Sequence, residues 1–130
     1  MKFLLMLMTS LALFAAEVEW VHSYDEAAKL SKQTHKPIYL FISAPECPWC
    51  EKFENRTLKD EEVIRFLNDK FIPLHLVRGF DSIPSRFKVR PVPRHYVVDD
   101  AKKYFYEDIG YFPKEIFMLM LNTTLKEMKE

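Results

Sequence analysis

The sequence predicts an α/β domain with a central mixed β-sheet flanked by helices on both faces. Three observations lead to this fold class. Ile38 to Ser43 (IYLFIS) is a continuous apolar, β-rich run, as expected of a central strand covered on both sides. Strand-like and helical patterns alternate through most of the chain, then give way to two successive strands and a closing helix. The 130 residues are 48% apolar and 15% aromatic, enough for one core and too few for a second domain of ordinary size.

The elements follow in order. Glu17 to Val21 alternates polar and apolar residues, a short strand candidate. Ser23 reads as an N-cap with Glu26 completing a capping box, and the helix it opens runs to about Thr34, before Pro37. After the IYLFIS strand a helix begins at Cys47-Pro48-Trp49-Cys50, and Asp60 caps a second helical run, EEVIRFLND. Phe71 to Val77 is the next buried strand. Ser82 to Lys88 suits a short helix, with Pro84 admissible only in its first turn. Arg94 to Asp99 and Lys103 to Ile109 form two strands joined by the polar turn from Asp99 to Lys102. Ile116, Phe117, Met120, Leu121, Leu125 and Met128 recur at helical spacing, giving a last helix from about Pro113 to Lys129.

Composition excludes several functions. With 19 basic and 19 acidic residues the formal charge is zero, so no long-range field draws in nucleic acid or an acidic membrane. Gly79 and Gly110 are the only glycines, which rules out a phosphate-binding glycine loop. Two cysteines cannot build a disulfide scaffold, nor complete a four-ligand zinc site by themselves. Residues 1–16 carry the marks of a secretory signal peptide: Lys2, an apolar run from Phe3 to Ala16, and charge resuming at Glu17. The run is short for a membrane-spanning helix. Cleavage is expected after Ala15 or Ala16, with an uncleaved anchor as the alternative, leaving residues 17–130 as one domain without membrane insertion. Export would place both cysteines in an oxidising compartment, the periplasm.

Cys47 and Cys50 carry the chemistry. Their spacing puts both sulfurs on one face of a first helical turn, within bonding reach. Pro48 suits the first helical position, where a missing N–H costs nothing. A Cys47 thiolate would face the free N–H groups and the positive end of the helix dipole, which lower its pKa. Cys50, one turn further in, suits the resolving role. Nucleophile and partner together are the minimum for thiol–disulfide exchange. Two alternatives stay open: a static disulfide stapling the helix start, which would stabilise only weakly across so short a loop, and a metal carrier in which a histidine joins the pair. His22, His35, His75 and His95 share no ligand spacing. Phe53 reads as core.

In the order strand IYLFIS, helix start CPWC, segment VRPVPRHYVV and hairpin ending at Gly110, the chain resembles the thioredoxin superfamily over essentially all of residues 17–130. The resemblance implies a thioredoxin-like fold and a thiol–disulfide oxidoreductase with Cys47 as nucleophile and Cys50 as resolving thiol. It further implies a cis peptide at Val92-Pro93 facing the cysteines, with the Val92 backbone offered to an incoming polypeptide. Independently, a proline ahead of a buried strand belongs at its first residue or at a bulge. Trp49, Val92 and Pro93, with Pro45, would form an apolar landing surface. The chain departs from the family twice. Glu46 stands where a tryptophan precedes the first cysteine, and Phe41 stands where a buried aspartate assists proton transfer at the inner thiol. Glu51 is a candidate substitute base, but its leading reading is a solvated helix carboxylate. Glu46 and Glu51 raise the thiolate pKa by like-charge repulsion while Lys52 opposes them, which favours a reductant or an intermediate potential. The expectation is a monomeric periplasmic reductase of protein disulfides, without cofactor or metal, recharged by a membrane-embedded electron donor. A disulfide oxidase or isomerase of the same fold is the alternative.

Overall fold

A computed structural model describes residues 16–130, so the expected signal segment lies outside the described residues except for Ala16. The first helix, α1 (Tyr24–Thr34), starts where the Ser23 hydroxyl accepts the Glu26 N–H and ends at His35 in the left-handed conformation, φ 59°. The next elements are β1 (Ile38–Ser43), α2 (Pro48–Asn55), a single 3-10 turn (Thr57–Lys59), α3 (Glu61–Lys70) and β2 (Ile72–Val77). The hairpin β3 (Arg94–Asp99) and β4 (Tyr104–Ile109) follows, and α4 (Lys114–Lys129) closes the chain. Asp60 caps α3 by accepting the Glu62 and Val63 N–H groups, and its second oxygen lies 3.2 Å from Lys114 Nζ at the start of α4. Loss of an N-cap carboxylate costs about 1 kcal/mol. Asp60→Ala is therefore expected to lower the free energy of unfolding by that amount, read as a lower urea midpoint at unchanged slope, and an unchanged midpoint would show the cap to be idle.

The four strands lie in the order β2-β1-β3-β4, with β1 parallel to β2 and antiparallel to β3, and β3 antiparallel to β4. Alternation along β1 sorts the core into two layers. Ile38, Leu40 and Ile42 join Ala27 of α1, Leu74, Leu76, Tyr96 and Val98 on one face. Tyr39 and Phe41 join Phe53, Ile64, Leu67, Phe117 and Leu121, from α2, α3 and α4, on the other. This is an α/β fold with helices on both faces of a mixed sheet, as the strand and helix pattern predicted, and it is thioredoxin-like, as the resemblance implied. All six β1 residues are buried, which accounts for the unbroken apolar run.

Three local expectations are corrected. Glu17 to Val21 is not a strand; Val21 alone forms a parallel bridge to Leu74. Val21 N–H donates to Pro73 O and His75 N–H to Val21 O. The next rung would need a donor from residue 73, and Pro73 has none. The Glu19 N–H is already committed to the Asn68 side chain at 2.8 Å. Ser82 to Lys88 forms one turn, closed by Phe87 N–H to Pro84 O, and not a helix. Its one buried apolar residue, Phe87, gives no stripe on which a helix could dock. On α4 the buried stripe is Phe117, Met120, Leu121 and Thr124, while Ile116 is half exposed.

Candidate active site

The carboxyl end of β1 leads through Ala44 and Pro45 to Glu46, whose left-handed φ of 57° turns the chain into α2. Cys47 is the N-cap of that helix and Pro48 its first residue. The Cys50 N–H donates to Cys47 Sγ at 3.2 Å, so the sulfur occupies the place an N-cap oxygen normally takes. Cys47 and Cys50 are joined as a disulfide with Cα atoms 5.2 Å apart. Cys47 keeps 9% of its surface exposed and Cys50 only 2%. The outer sulfur is thus the one an incoming disulfide can reach, and in its reduced state it faces the positive end of α2.

Two further elements frame the pair. Both Arg90-Pro91 and Val92-Pro93 are cis. Val92 packs against the core layer that contains both cysteines, and Pro93 is buried immediately before β3, its carbonyl accepting the Gly110 N–H. Arg94 anchors this loop from inside: its guanidinium donates to Arg90 O and Tyr96 Oη and pairs with Glu107 at 3.2 Å. On the outer side Trp49 is 57% exposed, and its ring lies 5.9 Å from that of Tyr111. Lys52 Nζ stands over both rings, 5.1 Å from Trp49 and 4.6 Å from Tyr111, so its charge is directed at aromatic faces. Sequence reasoning missed Tyr111, because its approach to Trp49 depends on where the turn after β4 comes to rest.

Beneath α2, Phe41 is fully buried at the centre of an aromatic row across three strands. Its cross-strand partners are His75 and His95, whose rings lie nearly parallel to it at 4.8 and 5.9 Å. His95 has both ring nitrogens engaged, Nδ1 with Tyr39 Oη at 2.7 Å and Nε2 with Gly110 O at 2.8 Å. Burial pushes its pKa down to about 4. His75 is likewise pushed down to about 4 by burial and then by His22, while its Nε2 bonds Ser43 Oγ at 2.7 Å. Glu54 Oε1 lies 3.7 Å from the same nitrogen. Burial, then the neighbouring Glu51 charge, raise the Glu54 pKa against an opposing effect of Lys59. Glu51 itself is exposed on the outer face of α2. Sequence reasoning missed Glu54, whose contact with His75 joins segments distant in sequence. Among the described residues no group of three or more His, Cys, Asp or Glu is placed to hold a metal ion.

A family model described as "Thioredox_DsbH: Protein of unknown function, DUF255" matches residues 9–81. The chain belongs to the Thioredox_DsbH (DUF255) family. The CPWC helix start falls inside the matched region. Among similar curated proteins, the disulfide bond reductase DsbH of Chlamydia pneumoniae is 41% identical over 64 residues, 48% of this chain and 36% of that protein. An uncharacterized protein of Archaeoglobus fulgidus is 28% identical over 75 residues, 58% of this chain and 59% of its own length. Spermatogenesis-associated protein 20 of Mus musculus is 36% identical over 55 residues, with only 7% of that protein covered. The chain thus spans less than two thirds of the length of these curated relatives, from 59% down to 7%. A solved structure titled "DsbH Oxidoreductase" superposes with a TM-score of 0.68 at 25% identity, covering 86% of this chain and 87% of that one. A thioredoxin from Thermus thermophilus superposes with the same score at 19% identity, covering 84% and 88%, and shares the fold.

Proposed function

We propose that this Thioredox_DsbH-family chain is an exported thiol–disulfide oxidoreductase that reduces disulfides in periplasmic proteins. The observation that carries the reading is the cysteine pair itself: an outer sulfur capping α2 and an inner sulfur one turn behind it, already joined as a disulfide. The sequence similarity to a protein named disulfide bond reductase supports the direction.

In the reduced state the Cys47 thiolate attacks one sulfur of a substrate disulfide, forming a mixed disulfide and releasing the other substrate sulfur as thiolate. Cys50 loses its proton and attacks Cys47 Sγ. The second substrate sulfur leaves with the bonding electron pair and is protonated. The substrate gains two electrons and two protons; the chain is left as the Cys47–Cys50 disulfide and must be reduced by a donor dithiol. A membrane-embedded donor fits an oxidising compartment. Trp49, Val92 and Pro93 are assigned to substrate docking: the exposed indole supplies apolar contact and the Val92 backbone orients an extended segment. Residues 1–16 are assigned to export. Among the described residues no helix is long and apolar enough to cross a membrane.

Trapping tests this reading. Cys50→Ser is expected to accumulate mixed disulfides through Cys47 with a limited set of exported proteins, while Cys47→Ser accumulates none. An empty trap, together with a wild-type pair that remains oxidised in cells, would reduce Cys47–Cys50 to a structural staple. A wild-type pair held mainly as dithiol would support the reductase direction over the oxidase.

A further inference from the structure

The exposed charges on the two elements that frame the cysteine pair are opposite in sign. Glu46 and Glu51 are exposed on the turn before α2 and on α2 itself. The segment that leads into Val92-Pro93 carries Lys88 and Arg90, also exposed, with Val89 half-buried between them. Three successive carbonyls hold that segment from inside. Lys88 O accepts the Tyr96 hydroxyl at 2.8 Å, Val89 O the Arg78 guanidinium at 2.9 Å, and Arg90 O the Arg94 guanidinium at 2.8 Å. The Arg78 N–H in turn donates to Ser43 O at 2.8 Å, which ties the turn after β2 to the end of β1. Lys88 and Arg90 thus extend into solvent from a fixed backbone, and the Arg90 Cα is at most about 7 Å from that of Val92. Asp81 and Glu107, the carboxylates on the neighbouring turn and strand, are committed to the Val77 N–H at 2.7 Å and to Arg94 at 3.2 Å. Among the described residues Lys88 and Arg90 form no ion pair.

We propose that Lys88 and Arg90 select substrates, favouring disulfides whose attacked cysteine lies in an acidic stretch of extended polypeptide. The inference rests on the thiol–disulfide reading above and names the substrate class for the same site. A segment laid along the Val92 backbone passes Arg90 within a few residues of its own cysteine, since an extended chain advances about 3.3 Å per residue. Asp or Glu at that place meets cations that lack a partner and whose backbone is already ordered, so only side chains are immobilised on binding. The same carboxylates placed over α2 meet Glu46 and Glu51 and are repelled. The two signs together set what the substrate carries and on which side of its cysteine it carries it. Lys52 is a different kind of group: its ammonium is turned onto the Trp49 and Tyr111 rings at 5.1 and 4.6 Å. The formal charge of the chain is zero, so the preference acts at contact and not through a long-range field.

The test varies the charge beside a constant disulfide. Symmetrical disulfides of one short peptide are made with Asp-Asp, Ser-Ser or Lys-Lys on the amino side or the carboxyl side of the cysteine. The reduced chain is mixed with each at low ionic strength, quenched by acid over time, and its oxidation followed by mass. Each rate constant is divided by that of dithiothreitol with the same peptide, which removes the peptide's intrinsic reactivity. On at least one side of the cysteine the Asp-Asp peptide is expected to react about fivefold faster than the Ser-Ser peptide, the scale of two exposed ion pairs. The ratio should fall toward one at high salt. Lys88→Ser combined with Arg90→Ser should bring it to one at low salt, and Lys88→Glu combined with Arg90→Glu should transfer the preference to Lys-Lys. The anchors of the segment are backbone carbonyls, which these substitutions retain, and a ratio is insensitive to partial loss of folded chain. Equal wild-type rates on the acidic and neutral peptides overturn the proposal, as does a preference for Asp-Asp that persists in the double glutamate variant; either leaves the oxidoreductase reading intact. A wild-type chain oxidised by none of the peptides overturns both.

Discussion

Phe53→Ala is expected to lower the free energy of unfolding by about 4 kcal/mol, the range for a fully buried phenylalanine truncated without collapse of the site. Phe53 is 0% exposed and makes edge-to-face contacts with Phe41, Phe117 and His95 at ring separations of 5.2, 5.1 and 5.0 Å. Each such pair adds roughly 0.5–1.5 kcal/mol beyond area burial. None of the three partners can follow the removed ring: Phe41 is held in β1, His95 by hydrogen bonds at both nitrogens, and Phe117 in the buried stripe of α4. The consequence reaches the active site, because Phe53 is the residue of α2 that pins the cysteine helix to the sheet. Urea unfolding at matched slope measures the effect. Phe53→Leu, which keeps most of the volume, should cost far less, and a loss below about 1 kcal/mol in the alanine variant would mean the cavity refills.

Acid is expected to produce the second large effect. His75 and His95 have pKa values of about 4 in the fold, both chiefly through burial, against an ordinary value of 6.5. In the unfolded chain each takes up a proton as the pH falls through 6.5; in the folded chain neither does so until about 4. Between these limits the unfolded state binds more protons, so stability falls as the pH falls. The full separation is worth on the order of 3 kcal/mol per histidine. Glu54 opposes the trend, since its raised pKa makes protonation favour the folded state, but it is one half-exposed carboxyl against two buried imidazoles. Urea midpoints measured at pH 7 and pH 5 should differ clearly, and His95→Gln should flatten the dependence. Equal midpoints at the two pH values would contradict the buried, neutral state of both rings.

The cysteine site was legible because its signals are local. A Cys-Pro-x-Cys run after a buried strand specifies a helix start with the outer sulfur at the cap, and the structure places Cys47 there. Asp60, Ser23 and Pro48 were readable for the same reason: a cap acts on N–H groups two or three residues away. The environment of the pair was not readable. Glu51 and Glu54 are both carboxylates on an eight-residue helix, and nothing in their spacing reveals that one faces water and the other a histidine. That difference depends on how α2 rotates against the sheet, which Phe53 decides by packing onto Phe41 and His95.

The sequence by itself determined the fold class, the strands β1 to β4 to within a residue or two, and the pairing of a reachable with a shielded sulfur. These follow from apolar periodicity and from chemistry confined to a single turn of chain. Only the tertiary structure decided what surrounds the sulfurs. Two histidines separated by twenty residues flank Phe41 because β1 sits between β2 and β3 in one particular register. Tyr111 meets Trp49 because the turn after β4 returns to the start of α2. Glu17 to Val21 stops at one bridge because Pro73 lies opposite and has no N–H to give. Each of these is a contact between segments distant in sequence, and its energy depends on strand register and helix rotation, which no local pattern encodes.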